Sequence, residues 1–390
     1  MRQSLLLAAC LAFAPVVQGL NILITNDDGF GTSNIRELYK QLTALGHDCY
    51  IVASTSEQSD MGVQPLFTTS PHLLTDSEWG IVKAGSASIG TDPHDSHIWY
   101  YNGTPAAQVF VALDYVLPTF ASFSTPDLVV SGPNSGWSVG PFLYSLSGTM
   151  GAVYAAIERD IPAVAFASGN DIPEPYFWVN STTKVGLQDP ATINARLAAT
   201  FIQSLIDKAA GSRVLPEGYA VSVNLPYITS YTSDICTNPP FVIARMANNA
   251  SIVDKAVYDS KTGLFSYESI NIAGGNQCIG GNCNLPGETD VLSSGCKSSV
   301  TIFTVDFDPR NNAVCFNVSD VTEIVPIVVQ VNGTTPPLGG LGANASVIGN
   351  PPAAATSAPP FMPTITNIGM KAQWSVSCLI LGLGVGVFLL

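Results

Sequence analysis

The pattern that most constrains this chain is a short β-branched run, a polar turn, a helical repeat and a second β-branched run, all within its first folded stretch. Residues 21–25 read Asn-Ile-Leu-Ile-Thr and predict a strand. Ile35, Leu38, Leu42 and Leu45 then recur at helical spacing up to Gly46, and residues 49–53 return to a strand pattern. Two parallel strands cannot be joined by a tight turn, so a helix between them implies a crossover and a parallel sheet. The alternation continues. Residues 80–84 offer another short strand, Thr104-Pro105 caps and opens a helix through Val116, and residues 127–131 form a buried strand. A helix over 147–160, a strand over 163–167, a long amphipathic helix over 191–209 and a strand over 300–307 follow. The expected fold class is α/β, a mainly parallel sheet with helices on both faces. Residues 227–299, rich in Cys, Asn and Gly, read as an irregular insertion pinned by disulfides.

The flanks look like processing signals. Arg2 precedes the apolar run 5–17, and Val17-Gln18-Gly19 supplies the small residues a signal peptidase reads, so residues 1–19 are expected to be a cleaved signal peptide. Residues 331–369 hold no charged side chain and read as a flexible stalk, which leaves 20–330 as the folded domain. Residues 374–390 are apolar and uncharged. With small residues near Asn367 and Gly369 and a spacer containing Lys371, the segment 370–390 fits a glycosylphosphatidylinositol signal better than a plain membrane helix. The sequons at Asn102, Asn180, Asn249, Asn317, Asn332 and Asn344 fit the same secretory route. Outside the two flanks, Cys49, Cys236, Cys278, Cys283, Cys296 and Cys315 form an even set, which in an oxidising lumen reads as disulfides, concentrated between Cys236 and Cys315. The expected location is therefore the cell surface or wall, on a lipid anchor.

Composition narrows the partners. Only 11% of the 390 residues are charged, 46% are apolar, and the net charge is -14. Disorder and a many-pass membrane protein are excluded, and so is a nucleic-acid polymer, which needs clustered Lys and Arg. A bound phosphate would need a cation. In open α/β sheets ligands bind beyond the carboxyl ends of the strands, where three loops stand out. They are Asn26-Asp27-Asp28-Gly29, the loop 54–62 with Ser59, and Gly132-Pro133-Asn134-Ser135-Gly136. Together they offer carboxylates, a hydroxyl and a carboxamide, the all-oxygen set preferred by hard divalent cations. Taken alone, Asn26-Asp27-Asp28-Gly29 is equally an ordinary turn with a helix cap. Ser147-Gly148-Thr149 opens a helix and could present N–H groups and hydroxyls to a phosphate, or simply cap it. Joined to the oxygen set, it points to phosphate ester hydrolysis by metal-activated water.

Other motifs fail on context. Gly136-Trp137-Ser138-Val139-Gly140 matches a nucleophile elbow, but all four histidines precede it, against the order that motif requires. Gly29-Phe30-Gly31 lacks the third glycine of a dinucleotide fingerprint, since Asn34 stands there. His94-Asp95-Ser96-His97 reads as a polar surface loop before a metal site, and Cys278 with Cys283 lacks a downstream histidine for zinc.

The motifs resemble, in order, those of the SurE family of survival-protein nucleotidases and acid phosphatases. The resemblance is carried by residues 21–29, residues 51–59, Gly103-Thr104-Pro105, residues 127–132 with Asn134 and Gly136, and Ser147-Gly148-Thr149. Residues 215–218, Val223-Asn224 and Thr289-Asp290 are weaker echoes. The resemblance spans about 20–310. It implies a Rossmann-like α/β domain with an extended C-terminal part, acting with a divalent cation, Mg or Mn, on nucleoside monophosphates and other small phosphate monoesters. It implies Asp27, Asp28, Ser59 and Asn134 as metal ligands, with Asp27, Asp28 and Asn134 catalytic and Ser147, Gly148 and Thr149 at the substrate phosphate. Homo-oligomers are compatible with it. The chain departs from the family pattern at Ser138, where a second asparagine is usual, and over 141–146, which holds no acidic residue. Ser33-Asn34 replaces proline-glycine, and Asp60 follows Ser59. A catalytically weak surface-binding or structural protein is the alternative reading.

Overall fold

The computed structural model describes residues 19–182, 187–229, 236–246, 254–269 and 285–305. The first 18 residues, Cys278, Cys283, Cys315, the sequons from Asn249 onward, the stalk and the C-terminal tail lie outside the described residues.

The strands are β1 (Asn21–Thr25), β2 (Asp48–Ser54), β3 (Ile89–Asp92), β4 (Asp95–Tyr101), β5 (Leu128–Ser135), β6 (Ala163–Ser168), β7 (Tyr219–Asn224), β8 (Phe241–Ile243), β9 (Asp254–Asp259), β10 (Leu264–Ser269) and β11 (Ser298–Thr304). The helices are α1 (Ser33–Ala44), α2 (Pro105–Val111), α3 (Leu117–Phe120), α4 (Gly140–Leu146), α5 (Gly148–Glu158), α6 (Pro190–Ala209) and α7 (Glu288–Ser293). Nine strands form one sheet in the order β3-β4-β2-β1-β5-β6-β7-β11-β8, and β9 pairs with β10 in a separate hairpin. From β4 to β7 every pairing is parallel, whereas β3 runs against β4 and β11 against β7. The chain leaves β1 toward β2 on one side, while β5 pairs with β1 on the other. The order reverses at that junction, the place where open α/β sheets bind their ligands.

Each face of the sheet is covered, as expected. On one face Ile35, Leu38 and Leu42 of α1 and Ile193, Leu197 and Ile202 of α6 pack on Ile22, Ile24, Val130 and Phe166. On the other, Val109 of α2 and Met150, Ala152, Val153 and Ala156 of α5 pack on Leu23, Val52 and Val129. Alternate residues of β1 thus enter opposite layers, the two-residue period of a strand buried on both sides. Helix α6 starts where local chemistry favours it, with Asp189 accepting the Ala191 N–H at 2.8 Å and Pro190 at its first position.

Three expectations are corrected. Residues 80–84 form no strand: a single 3-10 turn at Glu78–Gly80 occupies the segment, and the sheet edge is built by the β3–β4 hairpin. His94 and His97 belong to that hairpin, where Asp95 binds the Tyr39 hydroxyl and Arg36 pairs with Asp92 at 2.6 Å. The region 227–299 is not irregular throughout, because it contributes β8, the β9–β10 hairpin, α7 and the start of β11. Its low apolar content reflects strands at edges, which need no continuous hydrophobic run.

The third concerns the cysteines. Cys236 is bridged to Cys296 within the expected region, but Cys49 is a free thiol buried in the core on β2. Burial pushes the Cys49 thiol up to about 12, so it behaves as an inert small hydrophobe. Mass mapping without reductant should recover Cys236 linked to Cys296 and Cys49 unmodified until the protein is denatured. Replacing both bridged cysteines with serine should cost roughly 2–4 kcal/mol in denaturant unfolding, given the length of the loop the bridge closes.

Candidate active site

The turn 26–29 is built by its first and last residues and leaves the two in between free. The Asn26 side chain accepts the Gly29 N–H at 3.2 Å and donates to the Gly29 carbonyl and the Thr32 hydroxyl, both at 3.1 Å. Gly29 has φ +110°, a region that favours glycine. Arg36 fixes the far side of the loop by donating to the Phe30 carbonyl at 2.6 Å. Asn26 and Gly29 thus form the ordinary turn, and Asp27 and Asp28 take no part in building it.

Asp27 and Asp28 are almost fully buried, at 1% and 3% exposure. Asp27 Oδ1 accepts the Thr149 hydroxyl at 2.6 Å, and Oδ2 accepts the Thr149 N–H at 3.0 Å. That approach requires Gly148, because a Cβ there would lie 2.9 Å from the Asp27 Cβ. Asp28 Oδ2 accepts the Ser135 N–H at 2.8 Å. Both carboxyls are pushed above the ordinary range, Asp27 by burial and Asp28 by burial and then by the charge of Asp27. Two adjacent anions without water are costly, and an added cation removes that cost.

Asn134 reaches the same place through a distortion of β5. The register with β6 shifts between Ser131 and Asn134, and a Cβ on Gly132 would sit 2.1 Å from the Phe166 carbonyl oxygen. The Asn134 side-chain nitrogen donates to the Gly136 carbonyl at 2.9 Å, while its Oδ1 is buried with no hydrogen-bond partner. A buried carboxamide oxygen without a partner, beside two desolvated carboxylates, is a donor set that fits a hard divalent cation. Among the described residues no group of three His, Cys, Asp or Glu is arranged to hold a metal, so neutral oxygens would complete the coordination.

Ser59 stands apart from this set. It is exposed, its N–H donates to Glu57 at 2.6 Å, and its loop is tied to the site by the Gln58 N–H, which donates to the Asp27 carbonyl at 2.8 Å. Ser147 caps α5 and accepts both the Met150 N–H at 3.3 Å and the Ser138 hydroxyl at 3.1 Å. Those two bonds use its acceptor capacity and leave its own proton to donate. Thr149 spends its N–H and its hydroxyl on Asp27, so it orients the carboxylate. Ser138 is itself clamped by Asn224 at the end of β7, which accepts its N–H at 2.9 Å.

Sequence reasoning passed over Glu57 and Glu78. Glu78 Oε2 is buried without a partner near Gly29, and burial followed by the charge of Glu57 pushes this carboxyl up. Its only sequence signal was an acidic residue just before a segment misread as strand.

Fold and site together define a doubly wound α/β protein with a set of buried oxygen donors at the point where strand order reverses. The family profile described as "Survival protein SurE" matches residues 22–250, more than half of the chain, and the chain belongs to the SurE family. It is 38% identical over 290 residues to a protein named "Acid phosphatase" from Yarrowia lipolytica, covering 74% of this chain and 80% of that one. It is 32% identical over 216 residues to "5'-nucleotidase SurE" from Desulfovibrio desulfuricans, covering 53% and 76%. The SurE protein of Aquifex aeolicus superposes with a TM-score of 0.50 at 18% identity, covering 78% of this chain and 99% of that one, a likeness of fold.

Thr149→Val keeps the side-chain shape and removes the hydroxyl that holds Asp27. Calorimetric titration should show Mg or Mn binding weakened about tenfold to a hundredfold, the usual effect of losing an orienting partner. Unchanged affinity would separate Thr149 from the cation site.

Proposed function

We propose that the chain is a metal-dependent phosphomonoesterase of the acid phosphatase or nucleotidase type, acting on nucleoside monophosphates and simple phosphate esters. The observation that carries this reading is the buried Asp27–Asp28 pair beside the unpartnered Asn134 oxygen, set against the start of α5. The names of the relatives, acid phosphatase and 5'-nucleotidase, support it.

Asp27, Asp28 and Asn134 Oδ1 would hold the cation, with Ser59 reaching from the rim. A bound Mg or Mn ion supplies charge neutralisation for the phosphate and a more acidic water. Thr149 keeps Asp27 in one orientation. The Ser147 hydroxyl donates to a phosphoryl oxygen, and the N-terminal end of α5 favours the negative charge that gathers there. The tight packing of Gly148 on Asp27 keeps water out from between the carboxylate and the helix start.

A panel of monoesters assayed for phosphate release, with and without chelator, tests the reading. Wild-type protein should release phosphate only with added cation, and Asp27→Asn should lose about two orders of magnitude or more while remaining folded, beyond the loss expected for an orienting partner. No release from any monoester would favour a binding or structural role instead.

The raised carboxyls also set a pH dependence. A carboxyl whose pKa is higher in the folded than in the unfolded state makes the fold most stable below the unfolded value, and that stability is lost as pH rises through the folded value. Chelated protein should therefore melt at a lower temperature at neutral pH than near pH 5. Because the cation competes with protons for the pair, the metal concentration giving half-maximal activity should fall as pH rises. A melting temperature of the chelated protein that is independent of pH would contradict the buried pair.

The proposal extends to place: entry into the secretory route, cleavage after Gly19 and attachment at the cell surface through a lipid. The Cys236–Cys296 bridge and the exposed sequon at Asn180 support it. Among the described residues no helix is long and apolar enough to cross a membrane. Release of the protein from cells by phosphatidylinositol-specific phospholipase is the expected result, whereas peptides from 374–390 in the mature protein would point to a membrane helix.

A further inference from the structure

A second buried carboxyl, outside the metal set, is joined to the segment that leads into the helix start. Glu288 is the first residue of α7 and is 0% exposed. Its Oε2 accepts the N–H of Gly140 at 3.0 Å, and its Oε1 accepts the Tyr144 hydroxyl at 2.5 Å. Tyr144 is itself 1% exposed, and the Glu288 side chain also bonds to Thr301 of β11. Among the described residues no Lys, Arg or His pairs with Glu288. The contact bridges 148 residues of sequence and fastens α4 at its first residue and again at Tyr144 in its second turn.

What α4 leads to gives the contact its meaning. Ser147 is at once the residue that ends α4 and the one that caps α5. Its N–H donates to the Leu143 carbonyl at 2.7 Å, so its position follows from that of α4. The Leu146 carbonyl accepts the Gly62 N–H at 2.8 Å, which ties the same corner to the loop that carries Ser59. On the other side of α4, Ser138 is held by Asn224 and donates to Ser147. Helix α4 is only seven residues long, has no side-chain cap, and leaves Phe142 43% exposed. A helix so short is not stable by itself and takes its position from what it is fastened to. Glu288 and Tyr144 are that fastening.

We propose that Glu288 is a positioning residue for phosphate ester hydrolysis: through Gly140 and Tyr144 it fixes α4, and through α4 it sets where the Ser147 hydroxyl and the start of α5 meet the phosphate. The proposal rests on the phosphatase reading above. A carboxyl group has two oxygens and satisfies the Gly140 and Tyr144 donors together. Glutamine keeps one acceptor oxygen and the side-chain length, and alanine keeps neither.

The test uses the full chain as secreted, with turnover of a simple aryl phosphate, inhibition by inorganic phosphate and thermal melting measured side by side. Glu288→Ala should lower kcat about tenfold or more and weaken phosphate inhibition by a similar factor. Glu288→Gln should recover most of both, giving the order wild type, Gln, Ala. A merely structural role would lower the melting temperature and leave the kcat and inhibition constant of the folded fraction unchanged. A folded Ala variant with both constants within twofold of wild type overturns the proposal. Should Glu288→Ala fail to fold, Tyr144→Phe removes one of the two bonds while keeping the ring. It should lower kcat and weaken phosphate inhibition by about threefold or more, and wild-type values would overturn the proposal. Should the wild-type protein hydrolyse no ester, the phosphatase reading falls. Calorimetric titration of inorganic phosphate into wild type and Glu288→Ala then decides the positioning role on its own, and equal affinities overturn it.

Discussion

Asp27 and Thr149 share two hydrogen bonds across the point where the sheet reverses its strand order, and the rest of the site is arranged around them. One partner ends β1 and the other lies in the first turn of α5, so the pair joins the sheet to the helix covering its second layer. A carboxylate buried at 1% exposure must have its oxygens satisfied, and here one residue satisfies both. The arrangement also explains the glycine between Ser147 and Thr149, because any side chain there would part the helix from the strand end. Asp28 is held through Ser135, whose N–H it accepts at 2.8 Å, and it carries the larger electrostatic burden. An unequal pair of this kind is suited to a cation: one ligand is rigidly oriented, and the other is made reactive toward positive charge by its neighbour.

The sheet was legible in the sequence because its central strands are buried on both faces. Ile22, Leu23, Ile24 and Val129, Val130 leave no ambiguity between strand and loop, and a parallel arrangement follows from the helices between them. Legibility was incomplete even in buried strands, since β4 and β7 went unread although most of their residues are buried. Strand β3 is Ile-Gly-Thr-Asp with one buried residue of four, and β8 has none fully buried, so neither carries the hydrophobic run that a reader can see. Residues 80–84 had the opposite defect: Ile81 and Val82 suggest a strand, but Trp79 and Gly80 both have positive φ and turn the chain instead. Helix α4 was invisible for a related reason, since Gly140-Pro141 at its start reads as a loop and its stability comes from Glu288, far along the chain.

The site was legible as chemistry and not as geometry. Asp27, Asp28 and Asn134 could be grouped because each follows a strand of one parallel sheet. Nothing in the spacing could reveal that Thr149 would turn its donors toward Asp27, or that Ser138 would reach Ser147. Glu78 and Glu288 escaped for the same cause, as their roles depend on partners brought close only by the fold. Asn224 is intermediate. The family resemblance alone put it in view, and the clamp on Ser138 gives it a use that sequence could not supply.

The buried acids also explain why so acidic a chain can place carboxyls in its interior. Repulsion between exposed surface charges is screened by water and salt, whereas Asp27, Asp28 and Glu288 are shielded from both. Each of the three is pushed up by burial first, and Glu288 reaches about 7. Below that value protonation relieves the cost, since a neutral Glu288 still accepts the Gly140 N–H. As the proposed ligands, Asp27 and Asp28 would lose that use on protonation, and a bound cation would do for them what protons do for Glu288. The two carboxyl sites answer rising pH differently: the proposed cation site would lose its competing protons, while Glu288 acquires a buried charge that its Tyr144, Thr301 and Gly140 donors favour.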